Sequence, residues 1–337
     1  MNKNGLRFEV ALLIGFTWLL AACSSSTGSA KNNPPAPDTT PPQLTAAYPA
    51  DNFHGFKQGE RITLQFSEPM DTASVKSAFR LTGGGKASWP VTFTWENNNQ
   101  RLLIAPDQSL PYSPNSSYEY FVWELAATAK DVAGNSLDRA YRAKFSTLRT
   151  LSARLPAENI DGMTIIHKGT SDLTDTSKPY SFAGDFSNKA CAQAFFSFDL
   201  SGLPADLVAF KSAVFAAYIL KIAGDPYGSL GGWLRLDHLD YGDTLEEADS
   251  SLQPLTDGNG NPETRQVTNN WVSDWRRETL PPGWLDRDVA AKRAHFQLRY
   301  HFDVCTDEDG VHDRLRFATS EDSGGHAPYV DVEYLVP

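Results

Sequence analysis

Short stretches that alternate between apolar and polar residues run along the chain after residue 38, separated by turn residues. Examples lie at 61–66, 91–95 and 118–122. Alternation with period two is typical of half-buried antiparallel strands, and Gly, Pro and Asn clusters are typical of the turns between them. The pattern predicts about seven short antiparallel strands after residue 38, at roughly the spacing of a β-sandwich. Asp71 is expected to cap a single helical turn.

Residues 150–337 contain longer apolar runs that are rich in aromatic and β-branched residues. They lie at 194–200, 213–220, 233–238, 295–304, 314–318 and 329–335. The run 213–220 also fits a helical period, but its composition and flanks favour a buried strand. The predicted fold class is therefore all-β, with a β-sandwich of short strands followed by a larger, two-sheet sandwich of the jelly-roll type.

The start of the chain has a different pattern, which predicts a signal peptide. Lys3 and Arg7 provide positive charge, and residues 10–20 form an apolar run. This run is too short to cross a bilayer, which takes about 20 residues of helix. It has the length and flanks of the core of an export signal.

The sequence Leu-Ala-Ala-Cys that ends at Cys23 resembles the lipobox of bacterial lipoproteins. The resemblance implies lipid transfer to the Cys23 sulfur, cleavage before Cys23 and acylation of the new amino group. Ser24 at the next position implies sorting to the outer membrane, on its periplasmic side or at the cell surface. The alternative is an ordinary signal followed by a chance cysteine. We expect a signal peptide over 1–22 and a lipidated, disordered tether over 23–37, where no apolar periodicity exists.

Motifs within 38–148 resemble the bacterial Ig-like domains associated with S-layers. They lie at 38–42, 48–51, 66–71 (Phe-Ser-Glu-Pro-Met-Asp), 110–118, 130–135 (Lys-Asp-Val-Ala-Gly-Asn) and 144–147. The resemblance implies an Ig-like β-sandwich over the domain 38–149, which would act as a spacer or adhesion module.

The order of features in the domain 150–337 resembles the DNRLRE-type β-sandwich domains, a group related to some carbohydrate-binding modules. The matching segments are 196–204, 211–214, 302–304, 320–322 and 327–330. The resemblance implies non-catalytic binding with polysaccharide as the ligand class. The tryptophan-containing stretch 267–271 departs from the family pattern, so no binding residue is transferred.

The net charge and the sequence motifs argue against several classes of function. The net charge is −11 without a Lys/Arg cluster, which argues against nucleic acid as a partner because its phosphates would be repelled. Nucleophile-elbow, phosphate-loop and dinucleotide motifs do not occur, and we predict neither an enzyme nor a cofactor. The enzymatic alternative is a polysaccharide lyase using His295 or His301 with Tyr300 and Arg299, although alternation puts Tyr300 on the opposite face of the strand.

The run at 295–303 carries the candidate ligand face. Period two places four polar side chains on one side of it: His295, Gln297, Arg299 and His301. They could line a groove for a polyhydroxylated or acidic sugar, with Arg299 as a bidentate donor. The alternative is a solvated outer face, which half-buried antiparallel strands commonly have.

Four tryptophans of the second half are candidates for stacking against sugar rings, with partial burial in the core as the alternative. They are Trp233, Trp271, Trp275 and Trp284.

Two further groups of oxygen-bearing side chains fit either a calcium site or an ordinary turn. Asp257, Asn259 and Asn261 place oxygen atoms at alternate positions, as calcium requires, but the distal glutamate of a full calcium loop is missing and a plain Gly/Asn turn fits as well. An acidic cluster over 303–313 has the same two interpretations.

Two cysteines remain once Cys23 is assigned to lipid. Cys191 and Cys305 either form a disulfide, as oxidising compartments allow, or stay two separate buried thiols.

Together these features predict a cell-envelope lipoprotein that displays a non-catalytic module, for polysaccharide, on an Ig-like spacer. The alternatives are a structural or adhesion lipoprotein that binds an envelope protein, and the lyase-like enzyme. In each case the lipid anchor holds the chain at a membrane.

Overall fold

The computed structural model describes residues 36–167 and 170–337, and the unit Thr39–Pro337 contains two β-sandwich halves. The strands of the first half are β1 (Leu44–Tyr48), β2 (Phe53–Phe56), β3 (Ile62–Phe66), β4 (Phe79–Gly83), β5 (Val91–Glu96), β6 (Arg101–Pro106), β7 (Tyr120–Leu125) and β8 (Tyr141–Thr147). Its helix is α1 (Thr72–Ala78). The prediction of an all-β protein is confirmed.

The strands of the second half are β9 (Arg149–Pro156), β10 (Gly162–His167), β11 (Thr170–Asp175), β12 (Tyr180–Asp185), β13 (Ala190–Asp199), β14 (Ala209–Ala223), β15 (Leu234–Leu239), β16 (Thr264–Thr268), β17 (Trp275–Leu280), β18 (His295–Phe302), β19 (Arg314–Ala318) and β20 (Tyr329–Val336). Its helical segments are α2 (Pro226–Ser229), a 3-10 turn (Glu247–Ser251) and α3 (Pro282–Ala291).

The first half packs two four-stranded sheets face to face. Their strand orders are β1-β3-β6-β5 and β2-β8-β7-β4. Apolar side chains from both sheets meet in one core, in which Leu64, Phe121, Trp123 and Phe145 are buried. The helical turn expected after Asp71 is present as α1, because the Asp71 carboxylate accepts a hydrogen bond from the backbone N–H of Ser74.

The second half is a sandwich whose two layers share one strand. The 15-residue strand β14 pairs with β20 and β17 over its first part and with β19 over its last part. Its pairing register shifts between Ile219 and Lys221, where the chain passes from one layer into the other. The sequence predicted a two-sheet sandwich, and in the structure hydrogen bonds through β14 join the two layers into one curled sheet.

Several elements of the second half were not predicted from the sequence, among them β11, β16 and α3. β11 and β16 contain few apolar residues, and α3 begins with a Pro-Pro-Gly sequence that is typical of turns. Pro282 instead takes the first helical position, where its fixed φ and missing N–H are tolerated.

The predicted signal peptide, Cys23 and most of the tether lie outside the described residues. Among the described residues no helix has the length and apolar character needed to cross a membrane.

A disulfide joins Cys191 on β13 to Cys305, three residues after the end of β18, with their Cα atoms 5.4 Å apart. The two cysteines are separated by 114 positions in the sequence, so the bond closes a long loop. It links the segment that follows β18 covalently to β13.

Replacing both Cys191 and Cys305 by alanine is expected to reduce the free energy of unfolding by roughly 4 to 5 kcal/mol, because the unfolded chain regains the freedom of a long loop. Urea unfolding of the variant and of the oxidised wild type measures the difference. Equal stability of the two, or alkylation of both cysteines in the unreduced and unfolded wild type, would contradict the cross-link.

Candidate functional site

The outer face of β18 carries the four predicted ligand residues, but another part of the chain covers it. Gln297 and Arg299 are only 1% and 5% exposed, while His295 and His301 are half-buried. Residues 240–252 lie across this face. The face is therefore neither a solvated surface nor an open groove.

Hydrogen bonds tie the covering segment to the strand. The Gln297 side chain donates to the carbonyl of Gly242 at 2.7 Å and accepts from the backbone N–H of Tyr241 at 2.6 Å. The Arg299 guanidinium donates to the carbonyl of Ser250 at 3.3 Å. These side chains satisfy the buried backbone of the covering segment, which would otherwise lose its hydrogen bonds to water.

A small apolar cluster completes the cover. Phe195 from β13 packs there with Leu239, Tyr241 and Leu245, and the ring of Tyr241 meets that of Phe195 edge-on at 5.5 Å. The outer face of β13 and β18 is thus a second buried layer.

Arg299 and His301 share a carboxylate, that of Asp237 on β15, which is 1% exposed. An Arg299 nitrogen lies 2.5 Å from Asp237 Oδ2, and His301 Nε2 lies 2.9 Å from the same oxygen. Burial alone would raise the pKa of Asp237, but the hydrogen bond and charge of His301 and the charge of Arg299 outweigh it and lower that pKa to about 2. The positive charge of Arg299, which was expected to contact a sugar, is neutralised by Asp237 inside the protein.

The histidines of this face have both ring nitrogens engaged. His295 Nδ1 lies 2.9 Å from Glu158 and its Nε2 lies 3.1 Å from Asp243, while His301 Nδ1 lies 3.1 Å from the carbonyl of Phe302. Burial would lower the pKa of His295, but the hydrogen bonds to Glu158 and Asp243 raise it. The geometry gives no support to the lyase alternative.

Tyr300, the further member of that lyase alternative, is 1% exposed and lies in the main core, on the opposite face of β18 from His295 and His301. The alternation of the sequence predicted this separation.

A cavity of about 190 Å³ lies between His301 and the disulfide. Gln193, Cys191, Asp303 and Cys305 are among its lining residues. It is smaller than the roughly 300 to 1,000 Å³ of typical ligand pockets, so it does not suit an oligosaccharide.

The residues proposed for calcium form a closed turn. Asp257 Oδ1 accepts from the backbone N–H groups of Asn259 and Asn261 at 2.8 and 2.9 Å, and its Oδ2 accepts from the Asn261 amide at 3.0 Å. These bonds, first of all that of the Asn261 side chain, lower the pKa of Asp257. The carboxylate is used within the turn, as in the plain-turn alternative, and calcium stays a prediction.

The second acidic cluster brings three carboxylates together. Oxygen atoms of Asp307, Asp309 and Asp313 lie within 4.8 Å of one another. Asp307 and Asp309 accept backbone hydrogen bonds inside their loop, and Asp313 accepts one from Asp225. Each carboxylate therefore has a role in shaping the loop.

The tryptophans differ in exposure. Trp284 is buried and stacked on His238, and Trp271 packs edge-on against the core residue Tyr300. Trp233 is 37% exposed. Trp275 is half-buried and belongs to a larger group of rings.

Four rings lie together on the outer side of the layer β9-β20-β14-β17, and we call them the aromatic face: Tyr218, Trp275, His326 and Tyr329. His326 stacks on Tyr218 with centroids 4.0 Å apart, and Trp275 lies 5.5 Å from Tyr218 and 5.3 Å from Tyr329. Tyr218 and Trp275 are cross-strand partners, since β14 pairs with β17.

Charged groups border the aromatic face. Arg154 lies 3.6 Å above the ring of Tyr329 and makes a bidentate contact of 2.7 and 2.8 Å with Asp331. Arg277 approaches the same ring at 5.5 Å and Asp331 at 3.7 Å. Arg154 and Asp331 also line an open depression of about 520 Å³. Rings, donors and an acceptor are therefore presented together at the surface.

A family model for bacterial Ig-like domains matches residues 38–147, so this segment is a bacterial Ig-like domain. Three solved structures show similarity at low sequence identity. PcoC, a methionine-rich copper resistance protein from Escherichia coli, is 18% identical, covering 32% of this chain and 99% of its own, with a TM-score of 0.25. The N-terminal part of the bacterial S-layer protein SbsC is 11% identical, covering 49% and 42%, with a TM-score of 0.25. A structure of native alpha-2-macroglobulin from Escherichia coli that spans domains MG0-NIE-MG1 is 9% identical, covering 74% of this chain and 62% of its own, with a TM-score of 0.27.

The chain thus spans less than half the length of the S-layer structure that it matches. A search of curated proteins found no match.

Asp161, close to the covered layer, is a fully buried carboxyl group. It accepts from the backbone N–H and the hydroxyl of Ser320, both at 2.8 Å. Burial raises the pKa of Asp161 to about 8, although the bonds from Ser320 act in the lowering direction. The folded protein therefore holds this proton more tightly than the unfolded chain, in which the pKa is about 4.

Stability is expected to fall as the pH rises from about 4 to 8, because folding favours protonated Asp161 and the benefit is lost as the pH passes its folded pKa. The slope approaches about 1.4 kcal/mol per pH unit for one proton. Asp161→Asn should flatten this slope, whereas Asp206→Asn, at an exposed position, should not. Urea unfolding at pH 4, 6 and 8 measures it, and parallel curves for wild type and Asp161→Asn would contradict the assignment.

Proposed function

We propose that the protein is a cell-envelope lipoprotein that displays a non-catalytic binding domain, and that polysaccharide binds at the aromatic face. The observation that carries the proposal is the group of rings around Trp275, in which Tyr218, Trp275 and His326 are half-buried and Tyr329 is buried. Arg154, Arg277 and Asp331 border this group.

The chemistry of a sugar chain fits this arrangement. The C–H faces of a pyranose pack against aromatic rings, and its hydroxyl groups take hydrogen bonds from guanidinium groups and give them to carboxylates. The rings lie on a sheet and not in a deep pocket, which suits an extended polymer better than a small molecule that must be enclosed.

The remaining parts support display at the cell envelope. The lipobox-like sequence at Cys23 predicts an anchor, and the Ig-like domain at 38–147 separates that anchor from the second half. The disulfide between Cys191 and Cys305 fits an oxidising compartment.

A second candidate is an adhesion protein that binds an envelope protein. It is favoured by the Ig-like domain, a fold that commonly serves as a structural module. Capture of one envelope protein by the purified chain, with no retention on any polysaccharide, would favour this candidate.

Trp275→Ala and Tyr218→Ala are expected to weaken polysaccharide binding on the order of tenfold each, as the loss of about 1.4 kcal/mol of stacking would do. Affinity electrophoresis of the full chain through gels that contain single polysaccharides measures retention. Trp233→Ala is the matched control, because Trp233 is exposed but lies outside the aromatic face. If Trp275→Ala and Tyr218→Ala are retained as strongly as wild type and Trp233→Ala, with unchanged melting temperatures, the aromatic face is not the binding site.

Cys23→Ser is expected to move the protein from the membrane fraction to the soluble fraction and to abolish incorporation of labelled palmitate. Fractionation of expressing cells, with Ser26→Ala as the control, measures this. Membrane association that persists in Cys23→Ser would argue against the lipid anchor.

A further inference from the structure

The outer face of the sheet β2-β8-β7-β4 in the Ig-like domain presents a second group of rings and cations. Core residues such as Phe121 and Phe145 alternate with outward residues along β7 and β8. Pairing places His54, Ser146 and Tyr120 in one row across three neighbouring strands. The row is a direct product of strand register.

The rings of this row extend to Tyr118. The ring of His54 lies 4.4 Å from that of Tyr118, and the rings of Tyr118 and Tyr120 are 6.0 Å apart. His54 is exposed, Tyr120 is 37% exposed and Ser146, whose hydroxyl lies 2.7 Å from His54 Nδ1, is buried beneath them. The rings therefore form a continuous aromatic surface.

Two cations lie over these rings. The ammonium group of Lys144 is 3.7 Å from the centroid of Tyr120, and the guanidinium group of Arg149 is 4.9 Å from that of Tyr118. Arg142, on the same strand as Lys144, is instead paired with Glu124 at 3.1 Å. Lys144 and Arg149 contact aromatic rings in place of carboxylates, so their positive charge is available to an anion.

Arg149 adds a second observation. Among the described residues its Nε atom has no hydrogen-bond partner, but this atom is shielded from solvent. An anion bound at the surface would therefore contact the guanidinium group through its terminal nitrogens.

We propose that this surface, defined by His54, Tyr118, Tyr120, Lys144 and Arg149, binds an acidic polysaccharide, a chain of pyranose rings that carry carboxylate groups. The rings supply stacking faces, and the two cations supply charge-assisted hydrogen bonds to carboxylates. The whole chain has a net charge of −11, so an anionic polymer is repelled in general and needs a local cationic surface to bind. The Ig-like domain then acts in binding as well as in spacing.

The test uses the full chain and immobilised polygalacturonate, with the same polymer after reduction of its carboxyl groups as the neutral reference. Wild type is expected to bind the charged polymer at least tenfold more tightly than the neutral one. Lys144→Gln/Arg149→Gln should lose at least tenfold, whereas Arg61→Gln/Lys76→Gln, which removes two exposed charges outside this sheet face, should stay within twofold. Trp275→Ala should leave this binding unchanged, which separates it from binding at the aromatic face.

Three results would overturn the proposal. They are equal binding of both polymers, unchanged binding by Lys144→Gln/Arg149→Gln, and binding to phosphatidylglycerol vesicles in place of polygalacturonate. Lys144→Gln alone changes an exposed side chain and is expected to leave the melting temperature unchanged. It should still lose several-fold in affinity, so the test stands even if the double variant folds poorly.

Discussion

Strand β14 is the constraint on which the second half of the molecule depends, because it is the strand that both layers share. Its alternation buries Phe215, Ala217 and Ile219 in the core and turns Tyr218 outward, where β17 brings Trp275 beside it. A shift of one residue in register would exchange these two sets of side chains. The packing of the core and the position of the aromatic face are therefore fixed by the same pairing.

The polar face of β18 shows how buried charge is accommodated in this fold. Arg299 and Gln297 keep their hydrogen bonds after leaving water because Asp237 and the segment 240–252 supply partners. A charged side chain is therefore a poor guide to a binding site unless its exposure is known. The cations at Lys144 and Arg149, which lie over rings and not beside carboxylates, differ in this respect.

Local pattern was enough to predict the all-β class and the cap at Asp71, because period-two alternation, turn residues and capping are properties of short stretches. The Ig-like segment was predicted from the resemblance of its motifs to a known family. Local pattern also placed Tyr300 on the face opposite His295. It could not show that residues 240–252 cover β18, since that depends on the packing of a distant segment.

The aromatic face was missed for the same reason. The four rings come from three stretches of the chain: Tyr218 lies on β14, Trp275 on β17, Tyr329 at the start of β20 and His326 just before it. Of these, only Trp275 was a candidate binding residue in the sequence. The outward position of Tyr218 follows from the alternation along β14. The rings that lie beside Tyr218 are determined by strand pairing, which local sequence pattern does not reveal.

The most direct test of binding at the aromatic face is titration of the ¹⁵N-labelled protein with an oligosaccharide that it retains, observing the tryptophan indole resonances. The indole signal of Trp275 is expected to shift with saturation, while those of the core residues Trp123 and Trp284 stay in place. Saturable binding that leaves the Trp275 signal unmoved would contradict the account.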